Sequence, residues 1–253
     1  YREVLEARRR TLGDEHPSTL ASINNLGGLL QDQGKLDEAE PLYRKVLEVS
    51  RRTLGDEHQM TLASINNLGM LLLRARGKLD EAEPLLREAL EVLRRTLGDD
   101  HPSTLISIMN LAGLLRDRGK LDEAEPLLRV GLKASRRTLG DEHPTTLISI
   151  INLGYLFKKQ GKYDEAEPLL REALEGLRRT LGDAHPATLG SISTLGDLLQ
   201  AQGKLDDAES LLREALEASR RTLGDEHPDA LISTHHLGLL LQAQGKPAAA
   251  ELR

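Results

Sequence analysis

The chain has no cysteine and no tryptophan, and aromatics make up 2% of its 253 residues, with a single phenylalanine. Without cysteine there is no disulfide framework and no thiolate chemistry, and a reducing compartment is compatible. Without aromatic anchors, packing falls to leucine, alanine and other aliphatics. No apolar run approaches the roughly 18 residues of a membrane-spanning helix, and the first residues lack a charged-then-apolar leader. Blocks of like charge are missing as well. The 40 acidic and 34 basic residues are interspersed, with a net charge of -6, which argues against nucleic acid as the main partner. The expectation is a soluble, cytoplasmic chain that does not act on a membrane.

Signatures of catalysis are also absent. There is no phosphate-cradling glycine loop, no His-Glu-x-x-His and no nucleophile elbow. The many carboxylates fall at helix starts and turns, where capping and solvation account for them. No enzyme activity, catalytic residue, metal or cofactor is expected.

What is present is a repeat. Arg-Arg-Thr-Leu-Gly-Asp recurs with its glycine at Gly13, Gly55, Gly98, Gly140, Gly182 and Gly224, at spacings of 42, 43, 42, 42 and 42. A fixed period of this length marks a solenoid, predicting one array over 1–253. Its repeats run at about 13–54, 55–97, 98–139, 140–181 and 182–223, with 1–12 as the second half of a helix and 224–253 as a last, partial copy. The one long step lies in Met70 to Arg76 and predicts a π-bulge or a longer turn, because an extra helical residue rotates all that follows by about 100°. The beginning and end of the chain complete each other: Lys246 to Arg253 supply the first half of a helix and Tyr1 to Leu12 the second. Exposed Val4, Leu5 and Leu252 then predict head-to-tail stacking of copies, or a natural chain that continues at both ends.

Each repeat divides into two helices. Pro17 opens helix A in the first full repeat, and Leu20, Ile23, Leu26, Leu29 and Leu30 form a stripe of period near 3.6. Gly34 ends it. Helix B is predicted from an Asp37 cap, with Glu40 completing a capping box, and Leu36, Ala39, Leu42, Tyr43, Val46, Leu47 and Leu54 form its stripe before Gly55. Gly27, Gly69, Gly154, Gly196 and Gly238, with Ala112, read as close-packing positions. His16, His58, His101, His143, His185 and His227 recur one repeat apart, too far for a shared zinc ion, and are expected to cap helix A or tie the turn. His235 and His236 are adjacent, so their side chains diverge on a helix. The Arg51-Arg52 and Arg136-Arg137 pairs suit a helix carboxyl end better than a phosphate partner.

The run Asn25-Leu26-Gly27, then Leu30, Gly34, Leu36, Ala39, Tyr43 and Val46, resembles the tetratricopeptide repeat. The 42-residue form, with Gly-Asp-Glu-His-Pro between repeats and Asn-Asn-Leu-Gly in helix A, is similar to kinesin light chain, nephrocystin and the repeat arrays of some nucleotide-binding sensor proteins. The resemblance covers the whole chain. It implies an all-α fold, a right-handed superhelix with helix A on the concave face, and a protein-interaction scaffold. On that alignment one groove row is Asn25, Asn67, Asn110, Asn152, Thr194 and His236, and a neighbouring row is Asn24, Asn66, Met109, Ile151, Ser193 and His235. Beside them lie Gly28, Met70, Gly113, Tyr155, Asp197 and Leu239.

An asparagine offers two donors and an acceptor to a peptide unit. Helices about 8–10 Å apart would place one asparagine about every three residues of an extended strand. Arg74, Arg116, Lys158 and Lys159 beside Met109, Ile148, Ile151 and Tyr155 suit a peptide with an acidic residue flanking a hydrophobic anchor. The alternative is that these asparagines face solvent or contact the next helix. Rival functions are an assembly module that stacks end to end, and the sensor arm of a larger nucleotide-binding protein.

Overall fold

The structure, a computed structural model, describes residues 2–75 and 78–246. The described residues form twelve helices and no strand. Six of them, the A helices, have 16 residues each: α2 (Pro17–Asp32), α4 (Gln59–Arg74), α6 (Pro102–Asp117), α8 (Pro144–Lys159), α10 (Pro186–Ala201) and α12 (Pro228–Ala243). The B helices α3 (Leu36–Leu54), α5 (Leu79–Leu97), α7 (Leu121–Leu139), α9 (Tyr163–Leu181) and α11 (Leu205–Leu223) have 19, and the shorter α1 (Arg2–Leu12) has 11.

The chain forms two compact units, Tyr1–Leu127 and Leu128–Arg253. In the first, each helix from α1 to α6 packs on the next, and α4 also meets α6. In the second, α8 to α12 do the same, and α10 touches both α8 and α12. This is the all-α, tandem helix-pair repeat read from the 42-residue period.

Local chemistry explains the helix ends. Every A helix is capped by the recurring histidine, whose Nδ1 accepts the backbone N–H two residues on, at 3.1–3.2 Å in all six copies. Proline follows it in five copies and Gln59 in the other. The B helices start differently from the predicted capping box. α3 begins at Leu36 with Lys35 as its cap and no side-chain bond there, so Asp37 lies inside the first turn. Its charge still complements the helix dipole, but it is too far along to cap. Glu40 turns away to accept Arg44 Nε at 2.9 Å and Lys78 Nζ at 2.6 Å, because the next repeat brings a lysine within reach.

The extra residue makes no π-bulge. α4 keeps the 16 residues of its counterparts and ends on an extended Ala75, so the insertion falls in the turn between Arg74 and Leu79; Arg76 and Gly77 lie outside the described residues. A longer turn absorbs one residue without rotating the stripes behind it.

The two stripes of each repeat meet in a thin aliphatic core. Leu20, Ile23, Ala39 and Val46 are fully buried in the first full repeat, while Leu29 faces solvent. Burial of each such aliphatic contributes roughly 1.5–3 kcal/mol, more than helix propensity supplies. Close approach depends on glycine at the predicted places. A methyl on Gly69 would stand 2.5 Å from Leu86 Cδ2, and one on Gly154 2.8 Å from Leu170 Cδ2. Gly196 is looser, at 3.4 Å from Leu212. Gly176 in helix B plays the same part against Leu147 at 2.5 Å, a position the stripe pattern does not flag.

At the start of the described chain, Leu5 is buried and Val4 is 51% exposed. Leu252 lies outside the described residues. The cut helix predicts an open Leu5; its burial follows from α1 packing on α2.

Candidate functional site

The A helices bury one face against B helices and leave another open. On that open face four positions recur at i, i+4, i+7 and i+11: in α4, Ala63, Asn67, Met70 and Arg74; in α8, Ile148, Asn152, Tyr155 and Lys159. Such spacing places all four on one stripe.

The two predicted rows separate in the structure. In the row of Asn25, Asn67, Asn110 and Asn152, the side chains are exposed or half-buried. Among the described residues, the amides of Asn25, Asn110 and Asn152 make no hydrogen bond. Asn67 Nδ2 instead donates to Asn24 Oδ1 at 3.0 Å, linking α2 to α4. The neighbouring row turns toward the adjacent A helix. Asn66 is only 9% exposed and donates to Leu62 O at 3.3 Å, leaving its Oδ1 buried without a partner. Met109 and Ile151 are half-buried. The same register carries Ser193, whose Oγ lies 2.6 Å from His236 Nδ1, repeating the link of Asn24 to Asn67 with different groups. Part of the asparagine pattern is therefore explained by contact between neighbouring A helices.

In the first unit, small clefts open along this face. One of about 320 Å³ lies between α2 and α4, walled by Ala21, Asn24, Asn25 and Ala63. Another, of about 180 Å³, lies between α4 and α6, walled by Leu62, Ala63, Asn67 and Ile106. Met70 is half-buried on the same stripe, and Arg116 contacts Asp117 through its Nε at 3.0 Å.

In the second unit the cations of this face are two lysines of α8. Lys158 and Lys159 hold their Nζ atoms 5.8 and 5.4 Å from the centroid of the Tyr155 ring, a cation–π geometry. Lys158 also donates to Asp197 Oδ2 at 3.1 Å. Lys159 has no carboxylate partner among the described residues.

Larger hollows, of about 610 and 680 Å³, lie on the B-helix side of the first unit. Their arginines are already paired: Arg44 with Glu40 and Glu81, Arg51 with Glu88 and Arg52 with Glu15 in one, and Arg87 with Glu83 and Glu123 and Arg94 with Asp99 in the other. The recurring arginine pairs thus bind neighbouring repeats and leave little charge for a partner. The open A face has unused amides and exposed aliphatics instead. Ile106, Ile148 and Ile232 are 52%, 43% and 51% exposed. Ile106 and Ile232 were not evident as site candidates in the sequence; the column Ala21, Ala63, Ile106, Ile148, Gly190, Ile232 shows them once the stripe is known.

Among the described residues no cluster of His, Asp and Glu is arranged to hold a metal, and His235 and His236 stand with ring centroids 6.1 Å apart. No described helix is long and apolar enough to cross a membrane.

A family model for the tetratricopeptide repeat matches residues 19–83, 63–136, 106–179, 149–220 and 187–253, and a second model of the same description matches 1–18. Among solved structures, the chain is similar to the nearly identical TPR-like repeats of a putative kinesin light chain from Podosopora anserina. The identity is 32% over 82% of this chain and 98% of that one, with a TM-score of 0.70. BtubC (BKLC) from P. vanneervenii is 26% identical over 83% of this chain and 84% of that one, with a TM-score of 0.69. At the level of fold, NprR in complex with its cognate peptide NprX matches with a TM-score of 0.62 at 16% identity, over 96% of this chain and 66% of that one. No curated protein sequence matches significantly.

Proposed function

Because this chain belongs to the tetratricopeptide repeat family, we propose that it is a scaffold that receives an extended peptide, or an extended segment of a partner protein, along the open face of its A helices. The family is a protein-interaction fold and generally not enzymatic. The observation that carries the reading is the open amides, Asn25 and Asn110 in the first unit and Asn152 in the second, which are reachable by solvent and bonded to nothing among the described residues. Each can accept a peptide N–H and donate to a peptide C=O. The exposed isoleucines beside them supply apolar contact, and the lysines of α8 favour a partner with acidic residues. NprR, which shares the fold, is seen holding a peptide. The cysteine-free composition suits work in the cytoplasm.

An Asn110→Ala, Asn152→Ala double variant tests this. Each lost hydrogen bond is worth about 1 kcal/mol, so with one bond lost at each asparagine the peptides retained by the wild type in a peptide-array screen should bind about thirtyfold more weakly. The melting temperature should stay within about 2 °C of wild type, since neither amide supports the fold. Equal affinity in the variant removes the asparagines from the reading.

A further inference from the structure

Gly190 stands in the middle of α10, and nothing in the fold requires it. Its φ is not positive, and a methyl placed on it would meet no atom within 4 Å. Gly154 and Gly176 in the same unit are different, since their added methyls would strike leucine side chains. A glycine inside a helix is destabilising relative to alanine, so α10 carries a local weakness with no packing reason. Glycine's other use is to let a second chain's backbone come close.

The surroundings show what could approach. One repeat to either side, the same register holds Ile148 in α8 and Ile232 in α12, both largely open to solvent. Ile106 in the first unit is equally open, so this exposure belongs to the register and not to the end of the chain. α10 packs against both α8 and α12, so at Gly190 the column has a gap where the helices on either side carry an isoleucine. On the stripe that begins with Ile148, Lys159 offers the one charge in α8 not already matched by a carboxylate among the described residues.

We infer that Gly190 determines the specificity of this face: the gap takes a branched aliphatic side chain of an extended peptide, while Lys159 takes a carboxylate farther along it. The inference rests on the peptide-binding reading above. The separation between the two contacts follows from helix geometry. Eleven residues from Ile148 to Lys159 span about 16 Å along the axis, and the step from α10 to α8 adds about 8–10 Å across it. The diagonal is about 19 Å, or five to six residues of extended chain at about 3.3 Å each.

The probe is an array of peptides in a serine background, each with one leucine and one glutamate at every separation from one to eight residues, in both orders. Wild-type protein should bind best at separations of five to six. Gly190→Ile fills the gap with the residue found at that register in α6, α8 and α12, and should lose about tenfold of that binding. Gly190→Ala should keep most of it and melt at or above the wild-type temperature. Lys159→Glu should shift the preference from glutamate to lysine at the same separation, a readout that does not depend on how well the isoleucine variant folds. If peptides bind but neither Gly190→Ile nor Lys159→Glu changes strength or spacing, the inference is overturned and the peptide groove stands. If no peptide of the array binds while an unrelated peptide is lost on Asn110/Asn152 substitution, the groove again stands and this specificity is wrong. Failure of every peptide overturns both.

Discussion

Histidine is an uncommon helix cap, yet six copies do the work that serine or aspartate does elsewhere. The reason is in the bond: Nδ1 on a short, stiff ring reaches the N–H two residues ahead, and proline at the next position removes a donor that would otherwise need a partner. His143→Ala should therefore cost about 1 kcal/mol, a fall of roughly 2–4 °C in melting temperature for a chain of this size, and His143→Asn should restore most of it. Thermal melts of the two variants check this. The histidine spacing excluded a shared metal from the sequence alone, but which ring nitrogen caps, and onto which donor, depends on the backbone turn. The asparagines divide for a similar reason. Neighbours in sequence, Asn66 and Asn67, differ by about 100° around α4, so one is buried and the other reaches the open face.

Among the elements, the B helices show how repeats are tied together. A glutamate near the start of α3, α9 and α11 reaches an arginine one turn on and a lysine that follows the next A helix: Glu40 with Arg44 and Lys78, Glu167 with Arg171 and Lys204, and Glu209 with Arg213 and Lys246. The Lys204 hydrogen bond holds the Glu167 carboxyl at about 2, and the Lys246 bond does the same for Glu209. Both values lie below that of the unfolded chain, near the ordinary glutamate value of about 4.3. The sign follows from this depression. The stabilisation is complete above pH about 4.3 and is lost as pH falls from there through about 2. Glu167→Gln should lower the melting temperature at pH 7 and converge on wild type toward pH 2, measured as melting temperature across that range. Sequence pattern assigned Glu40 to a cap because spacing within one helix is all it can see; the competing lysine comes from 38 residues on.

At the scale of the molecule, a tandem array is held by contacts between adjacent repeats, so stability is spread along the chain. A scaffold that takes peptides on its open face needs no second copy. Size-exclusion elution should then be unchanged across a hundredfold concentration range. A shift to larger species on concentrating would favour the assembly reading, in which copies stack end to end.

The sequence by itself determined the repeat, its two helices, the glycines where they touch and the all-α class, because period and apolar spacing are properties of the chain and need no partner. Tertiary structure decided which polar residues remain available. Among the described residues Asn25, Asn110 and Asn152 are unused, while Asn24 and Asn67 bond each other between α2 and α4 and Asn66 bonds Leu62 O within α4. A methyl on Gly190 would point into open space and one on Gly154 would strike Leu170, although both are mid-helix glycines. Availability is what remains after neighbours have taken their contacts, and those neighbours come from other repeats.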